Sequence, residues 1–259
     1  MSRLVFDIGG THMRYALADG GVLKDLRKVP TPEPTAAIEA LRVYATSRDG
    51  GIDSAVGGIA GIIQNGVVID SPNLPAWNGF TFKEALERVL GVPVTVYNDA
   101  AVAALGEARA GSGTGKRIVG YLTVGTGVGG ALIVDGEVAP HAQGFEPGKQ
   151  VIDVDTSRTL EAFVGGAAIR TETGEAAETQ PRAFYDERTK ALAVGLYDAI
   201  RLWSPDIFIL NGALMNEETA FRLDDVVREL LALAGDAEMP PVVRAAFGDE
   251  SGLRGAALA

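Results

Sequence analysis

Two stretches of the chain, 116 residues apart, follow one plan: a short apolar strand enters a turn of glycine and threonine, and a second apolar run leaves it for Asp-Gly. The first is Leu4 to Val22, LVFDIGGTHMRYALADGGV, and the second is Gly120 to Val138, GYLTVGTGVGGALIVDGEV. At that offset Gly9 falls on Gly125, Asp19 on Asp135, Gly20 on Gly136 and Val22 on Val138. The plan predicts a duplicated β-hairpin. Turn residues without bulk let backbone N–H groups close on a ligand, and two such turns point to a polyphosphate. The copies are unequal, because Asp7 in the first corresponds to Thr123 in the second. Only the first offers a carboxylate for Mg²⁺.

The sequence of 259 residues is long enough for two modest lobes, and 47% hydrophobic with 22% charged residues describes a globular chain. A formal charge of -11 without a basic block argues against nucleic acid or an anionic membrane as partner. The start, MSRLVFDIGG, enters a strand at once, with no secretion signal, so the cytoplasm is the expected location. Without cysteine there is no disulfide or thiolate metal site, and His12 and His141 are the two imidazoles.

Periodicity predicts strands over Leu4–Ile8, Arg14–Leu17 and Val22–Val29, then a helix over Thr35–Ser47 closed by Asp49-Gly50-Gly51. Strands follow at Ala55–Ile59 and Val67–Ile69. The loop SPNLPAWNG is expected to be irregular. Thr81 is placed to cap a helix to Leu90, Pro93–Tyr97 reads as a strand, and Asp99 opens an alanine-rich helix to Ala110. Gly111–Gly115 is expected to be a linker. After the second hairpin, residues 139–156 show little periodicity. Helices over Arg182–Trp203 and Glu217–Ala234 flank the strand DIFIL, and a strand Val242–Ala246 and helix Glu250–Leu258 close the chain. Trp203 and Phe208 read as core residues. The pattern predicts an α/β protein of two related lobes.

In the first turn, Asp7 before Gly9-Gly10-Thr11 can hold Mg²⁺ directly or through water, while backbone N–H groups and the Thr11 hydroxyl bind phosphate oxygens. A bare turn-capping Asp is the competing reading. Gly125, Thr126 and Gly127 repeat the cradle. Neither turn ends in the Gly-Lys-Ser/Thr of a Walker loop, and neither precedes a helix as a dinucleotide fingerprint does. Asp99, at a helix start after a strand and an Asn, is placed to be ionised, although a plain cap would look the same. Asn73 and Asn98 carry amides that both donate and accept, as a carbohydrate hydroxyl requires.

With these residues in place, the sequence resembles the ROK family of bacterial sugar kinases, within the actin-like ATPase and hexokinase superfamily of ribonuclease H-like fold. DIGGTHMRYAL is similar to the family's first phosphate loop, SPNLPAW to its sugar loop, VYNDAAVAALGEA to its catalytic segment and LTVGTGVGGALIVDG to its second phosphate loop. PDIFILNGAL, with Gly212, and FGDESGLRGAALA resemble the adenosine-side loop and the closing helix. The resemblance implies ATP as phosphoryl donor with Mg²⁺, Asp99 as general base toward a sugar hydroxyl, and Glu146 and Glu161 as sugar contacts. It also implies a small lobe of residues 1–112 joined by a closing helix of residues 248–259, and a larger lobe of residues 113–247. A homodimer is left open.

The chain departs from the family at its zinc site, made in many members by a His and three cysteines. Lys149 stands where that His would be, and IDVDTSRTLE contains no cysteine, so no zinc is expected. The family His also touches the sugar, so Lys149 is a candidate sugar contact that donates and never accepts. It points to an anionic or carbonyl group on the substrate and away from plain glucose. His141 is a candidate for the vacated role, against an ordinary loop histidine. Residues Thr171–Arg182 read as short and unpatterned where relatives carry more helix. The leading expectation is an ATP-dependent kinase for a hexose or a related amino or N-acetylated sugar. A catalytically weak regulatory protein and a DNA-binding repressor of the family are the alternatives.

Overall fold

The structure is a computed structural model and describes residues 2–47, 51–215, 218 and 220–259. The chain divides into two compact units. The first comprises Met1–Arg109, Pro140–Gly144 and Glu250–Ala259, and the second Ala110–Ala139 and Phe145–Asp249.

The first unit opens with β1 (Ser2–Ile8), β2 (His12–Asp19) and β3 (Val22–Pro30), then α1 (Pro34–Thr46) and β4 (Ser54–Ile59). A small hairpin of β5 (Ile62–Gln64) and β6 (Val67–Asp70) precedes α2 (Phe82–Leu90), β7 (Val94–Asn98) and α3 (Asp99–Ala110). The second unit carries β8 (Ile118–Val124), β9 (Val128–Val134), β10 (Glu137–Val138), β11 (Val151–Asp153) and β12 (Arg158–Thr159). Next come α4 (Leu160–Val164), α5 (Gly166–Thr173), α6 (Tyr185–Trp203), β13 (Ile207–Asn211), α7 (Leu223–Ala234) and β14 (Val242–Arg244). The last helix, α8 (Ser251–Leu258), belongs to the first unit.

Each unit is built on a five-stranded sheet, and the two have one plan. The orders are β3-β2-β1-β4-β7 and β10-β9-β8-β13-β14, with three antiparallel strands followed by two parallel ones. This is the duplicated mixed sheet of the actin-like ATPases. In the first unit the strand period of two separates two cores. Leu4, Phe6 and Ile8 face Ile38 and Leu41 of α1 and Phe82 and Leu86 of α2. Val5, Ala16, Ala18 and Val56 face Val102 of α3 and Leu253 and Ala256 of α8. The second unit buries Leu122, Val124, Leu192, Leu196, Phe208, Leu210 and Phe221 together. Trp203 stacks on Phe208 at 5.8 Å, so both are packing residues as expected.

The structure revises the repeat. Before the glycine turn, Asp7 and Thr123 hold matching places, both half-buried near the strand end. Beyond it the pairing differs: Ile8 sits opposite Met13, but Val124 sits opposite Val128, so the first turn is one residue longer. The two-residue turns that follow are Gly20-Gly21 and Asp135-Gly136, all four residues with positive φ. Gly20 therefore corresponds to Asp135, not to Gly136, and Asp19 corresponds to Val134. A slip of one residue reverses the faces of a strand. Met13 is accordingly buried while Gly129, its partner at the constant offset, is half-exposed.

Other expectations change locally. The loop from Ser71 to Gly79 contains a 3₁₀ turn, Pro75–Trp77, where proline occupies the start and Trp77 is buried, stacked on Phe82 at 5.6 Å. Thr81 occupies the cap position of α2, but its side chain makes no capping hydrogen bond. Gly111–Gly115 is a hydrogen-bonded turn: Thr114 N–H donates to Gly111 O at 3.2 Å and the Ser112 hydroxyl to Arg244 O at 2.7 Å. Arg182–Phe184 is a 3₁₀ turn before α6, and α5 with the 3₁₀ turn Ala177–Thr179 occupies much of the stretch read as unpatterned. The helix expected from Glu217 begins at Leu223, while Glu217 itself and the turn formers Asp49 and Gly50 lie outside the described residues. The expected strand Val67–Ile69 is β6, and its pairing with β5, absent from the sequence expectation, turns at Asn65-Gly66, both with positive φ, a dipeptide that signals such turns.

Helices α3 and α8 cross backbone to backbone. A β-carbon on Gly106 would lie 2.7 Å from Gly255 N, and one on Gly255 would overlap the Val102 carbonyl oxygen. Gly255→Ala should therefore lower unfolding stability by roughly 1–3 kcal/mol through overpacking, measured by urea denaturation of the full chain.

Candidate active site

Sequence-predicted residues fall into two groups, one in each unit. In the first unit, β1 ends in Asp7 and Ile8 and the chain turns through Gly9, Gly10 and Thr11. Gly9 N–H donates to His12 O at 3.0 Å, which closes the turn. Thr31 clamps it from the side: its hydroxyl donates to Gly9 O at 2.6 Å and its N–H to Thr11 O at 3.1 Å. Sequence reasoning missed Thr31, because nothing local links a residue after β3 to a turn so far upstream. Thr11 is exposed at the tip.

Gly10 brings a second predicted residue to this turn. A β-carbon there would lie 2.7 Å from Asn73 Cβ, so only glycine admits the Asn73 loop. That loop is held from beneath: Ser71, buried, donates its hydroxyl to Ala60 O at 2.7 Å, and Asn78 Oδ1 accepts from Ser71 N–H at 2.8 Å. Asn73 remains exposed.

The Asn98-Asp99 pair stands where β7 becomes α3. Asn98 Oδ1 accepts from Ala101 N–H at 3.1 Å, the geometry of a helix cap, and its Nδ2 donates to Gly61 O at 2.9 Å. Its amide thus positions the start of α3, leaving one N–H for a ligand. Asp99 is the first helical residue, with Oδ1 accepting from Ala100 N–H at 2.9 Å. A negative charge is favoured there by the aligned peptide dipoles. Gly58 on β4 allows this approach, since a β-carbon would lie 2.9 Å from Asp99 Cα.

Asp7 is largely buried, its carboxylate 3.3 Å from the Arg14 guanidinium opposite on β2. Among the described residues no three His, Asp or Glu side chains form a metal cage. Mg²⁺ commonly binds through one or two carboxylates plus phosphate oxygens and water, and the Asp7 carboxylate is a donor of that type.

In the second unit the turn is Gly125, Thr126 and Gly127, closed by Gly125 N–H to Gly127 O at 2.9 Å. The start of α5 is bonded to it, with Gly166 N–H donating to Gly125 O and Ala167 N–H to Thr126 O, both at 2.8 Å. Gly212, at φ 108°, lies on the Val124 backbone, and Leu214 N–H donates to Val124 O at 3.0 Å. Glu161 Oε2 accepts from Val128 N–H at 2.8 Å, and Oε1 accepts from Lys149 Nζ at 3.0 Å. Glu161 therefore ties the residue leaving the glycine turn to Lys149. Glu146 is exposed and precedes the 3₁₀ turn Pro147–Lys149, its carbonyl accepting from Lys149 N–H at 3.0 Å. His141 is exposed in the segment that belongs to the first unit.

The chain is similar to known proteins over nearly its whole length. The model of the ROK family matches residues 3–150 and 156–259. A glucokinase of Streptomyces coelicolor is 28% identical over 97% of this chain and 95% of its own length. An N-acetyl-D-glucosamine kinase of Photobacterium profundum is 27% identical over 98% and 97%. The crystal structure of a ROK family glucokinase from Streptomyces griseus, in complex with glucose and AMPPNP, superposes with a TM-score of 0.82 at 26% identity, covering 99% of this chain and 98% of that one. No helix among the described residues is long and apolar enough to cross a membrane.

Asn98→Ala removes both the cap of α3 and the donor to Gly61 O. The expected loss is about 1–2 kcal/mol of unfolding free energy, read by chemical denaturation.

Proposed function

The chain belongs to the ROK family and is a sugar kinase, and on that premise we propose that Asp99 is the general base of transfer from ATP to a sugar hydroxyl. The observation that carries this reading is the seating of Asp99 at the first residue of α3, capped by Asn98 and brought close to β4 by Gly58. As the sugar oxygen attacks the γ-phosphorus, the Asp99 carboxylate takes the hydroxyl proton, and the bond from the γ-phosphorus to the β,γ-bridging oxygen breaks to release ADP. The turns at Gly9–Thr11 and Gly125–Gly127 offer backbone N–H groups and threonine hydroxyls to the phosphates, with Gly212 on the nucleotide side. Mg²⁺, when bound at Asp7, neutralises phosphate charge. Such positioning and charge neutralisation account for most of the catalysis in this reaction class. ATP as donor is consistent with a cytoplasmic reaction.

For the sugar, Asn73, the remaining Asn98 N–H, Glu146, Lys149 and Glu161 are the proposed contacts. Lys149 presents hydrogen-bond donors, and its ion pair with Glu161 offsets its charge. That balance favours an uncharged acceptor such as an amide carbonyl over an anion. Plain glucose is accordingly not the preferred substrate.

Asp99→Asn should lower sugar-dependent ADP release by roughly 10²- to 10⁴-fold, and near-normal turnover would remove Asp99 from the chemistry. In the same coupled assay, a panel of hexoses, amino sugars and N-acetylated sugars should rank glucose below at least one alternative. Glucose far ahead of the rest would refute the role given to Lys149.

A further inference from the structure

A glycine of the last helix makes room for the Asp7 carboxylate. The alternation of β1 places Asp7 on the same face as Val5, which packs with Val102 of α3 and Leu253 of α8. A β-carbon on Gly252 would lie 2.9 Å from Asp7 Cγ and 3.1 and 3.2 Å from its two carboxylate oxygens. Gly252 does not have a positive φ, so the carboxylate, not the backbone, demands glycine here. Its neighbour Ser251, 1% exposed, donates its hydroxyl at 2.9 Å to Oε1 of Glu107, a fully buried residue of α3. One turn further on, Gly106 and Gly255 meet. Arg3 on β1 donates to Ala256 O and Ala257 O at 3.4 Å, and Arg109 donates to Leu258 O. The helix is thereby fixed along its length to β1 and α3.

We propose that Gly252 is a positioning residue which, anchored through Ser251 and Glu107, keeps open the space in which the Asp7 carboxylate takes the orientation that receives the nucleotide's divalent cation. The inference rests on Asp7 as the metal residue of the reading above. Its consequence is that α3, which begins with Asp99, also sets Asp7 by way of α8. Close packing alone would also require a small residue at 252, but it would leave metal binding unchanged in Ser251→Ala, which adds no bulk beside Asp7.

The test uses the full chain, with Mn²⁺ as probe in the presence of a non-hydrolysable ATP analogue. Half-saturation is read by electron paramagnetic resonance beside a thermal melt. Gly252→Ala should raise half-saturating Mn²⁺ by about tenfold or more, the scale of a lost outer-shell partner. Asp7→Asn should do at least as much, and the double variant should bind no worse than Asp7→Asn alone. Ser251→Ala, which adds no bulk, should raise half-saturation several-fold, and it carries the test if Gly252→Ala does not fold. Wild-type Mn²⁺ binding in Gly252→Ala, or in Ser251→Ala if it stands in, beside weakened binding in Asp7→Asn overturns the positioning role. Wild-type binding in Asp7→Asn itself overturns the metal role of Asp7, and the proposal with it.

Discussion

Gly58 lies so close to the start of α3 that a β-carbon there would come within 2.9 Å of Asp99 Cα, and the position of Asp99 depends on that missing atom. The same constraint recurs within each unit. Gly10 admits the Asn73 loop, Gly252 admits the Asp7 carboxylate and Gly106 meets Gly255. In the second unit, Gly148 lies on Val128, Gly166 on the glycine turn and Gly212 on Val124. Most of these glycines carry an ordinary φ, so they serve approach more than conformation. Sheet ends that bind small ligands need several chain segments to converge within a few ångströms, and side chains at those points would hold them apart.

Much of this architecture was legible in sequence because it is local. Short apolar runs marked β1 to β4, helical spacing found α1, and the Asn-Asp step before an alanine-rich run marked the start of α3. The elements that escaped depend on distant partners. Thr31 clamps the first turn through the β2–β3 pairing, and Glu161, which the resemblance implies as a sugar contact, accepts from a backbone N–H of β9 that the sequence does not reveal. Helices α4 and α5 are too short for periodicity to register, although Thr159 caps the first of them, its hydroxyl accepting from Ala162 N–H at 3.3 Å. Asn98 was recognised as polar and well placed, but its two bonds to the backbone are visible only in three dimensions.

Glu161 also changes how the altered zinc region is understood. The sequence presents Lys149 as a donor toward an anionic or carbonyl group of the substrate, whereas the fold gives it a carboxylate partner at 3.0 Å. That carboxylate also holds the strand leaving the second glycine turn. A ligand that draws Lys149 away would release one oxygen of Glu161 while the other remains on Val128. Lys149 and the strand leaving the second glycine turn are in this way joined by a single side chain.

The extra residue in the first glycine turn bears on how the two hairpins could be exchanged. Beyond the turn, Ala16 matches Ala131 and Leu17 matches Leu132 only at an offset shorter by one, as the strand pairing requires. The two hairpins therefore differ by one residue, and that residue lies in the turn, where it leaves the inward and outward faces of both strands intact. Exchange of the two hairpins between halves, by recombination or by design, would preserve each core only if the cut points respected that difference in length.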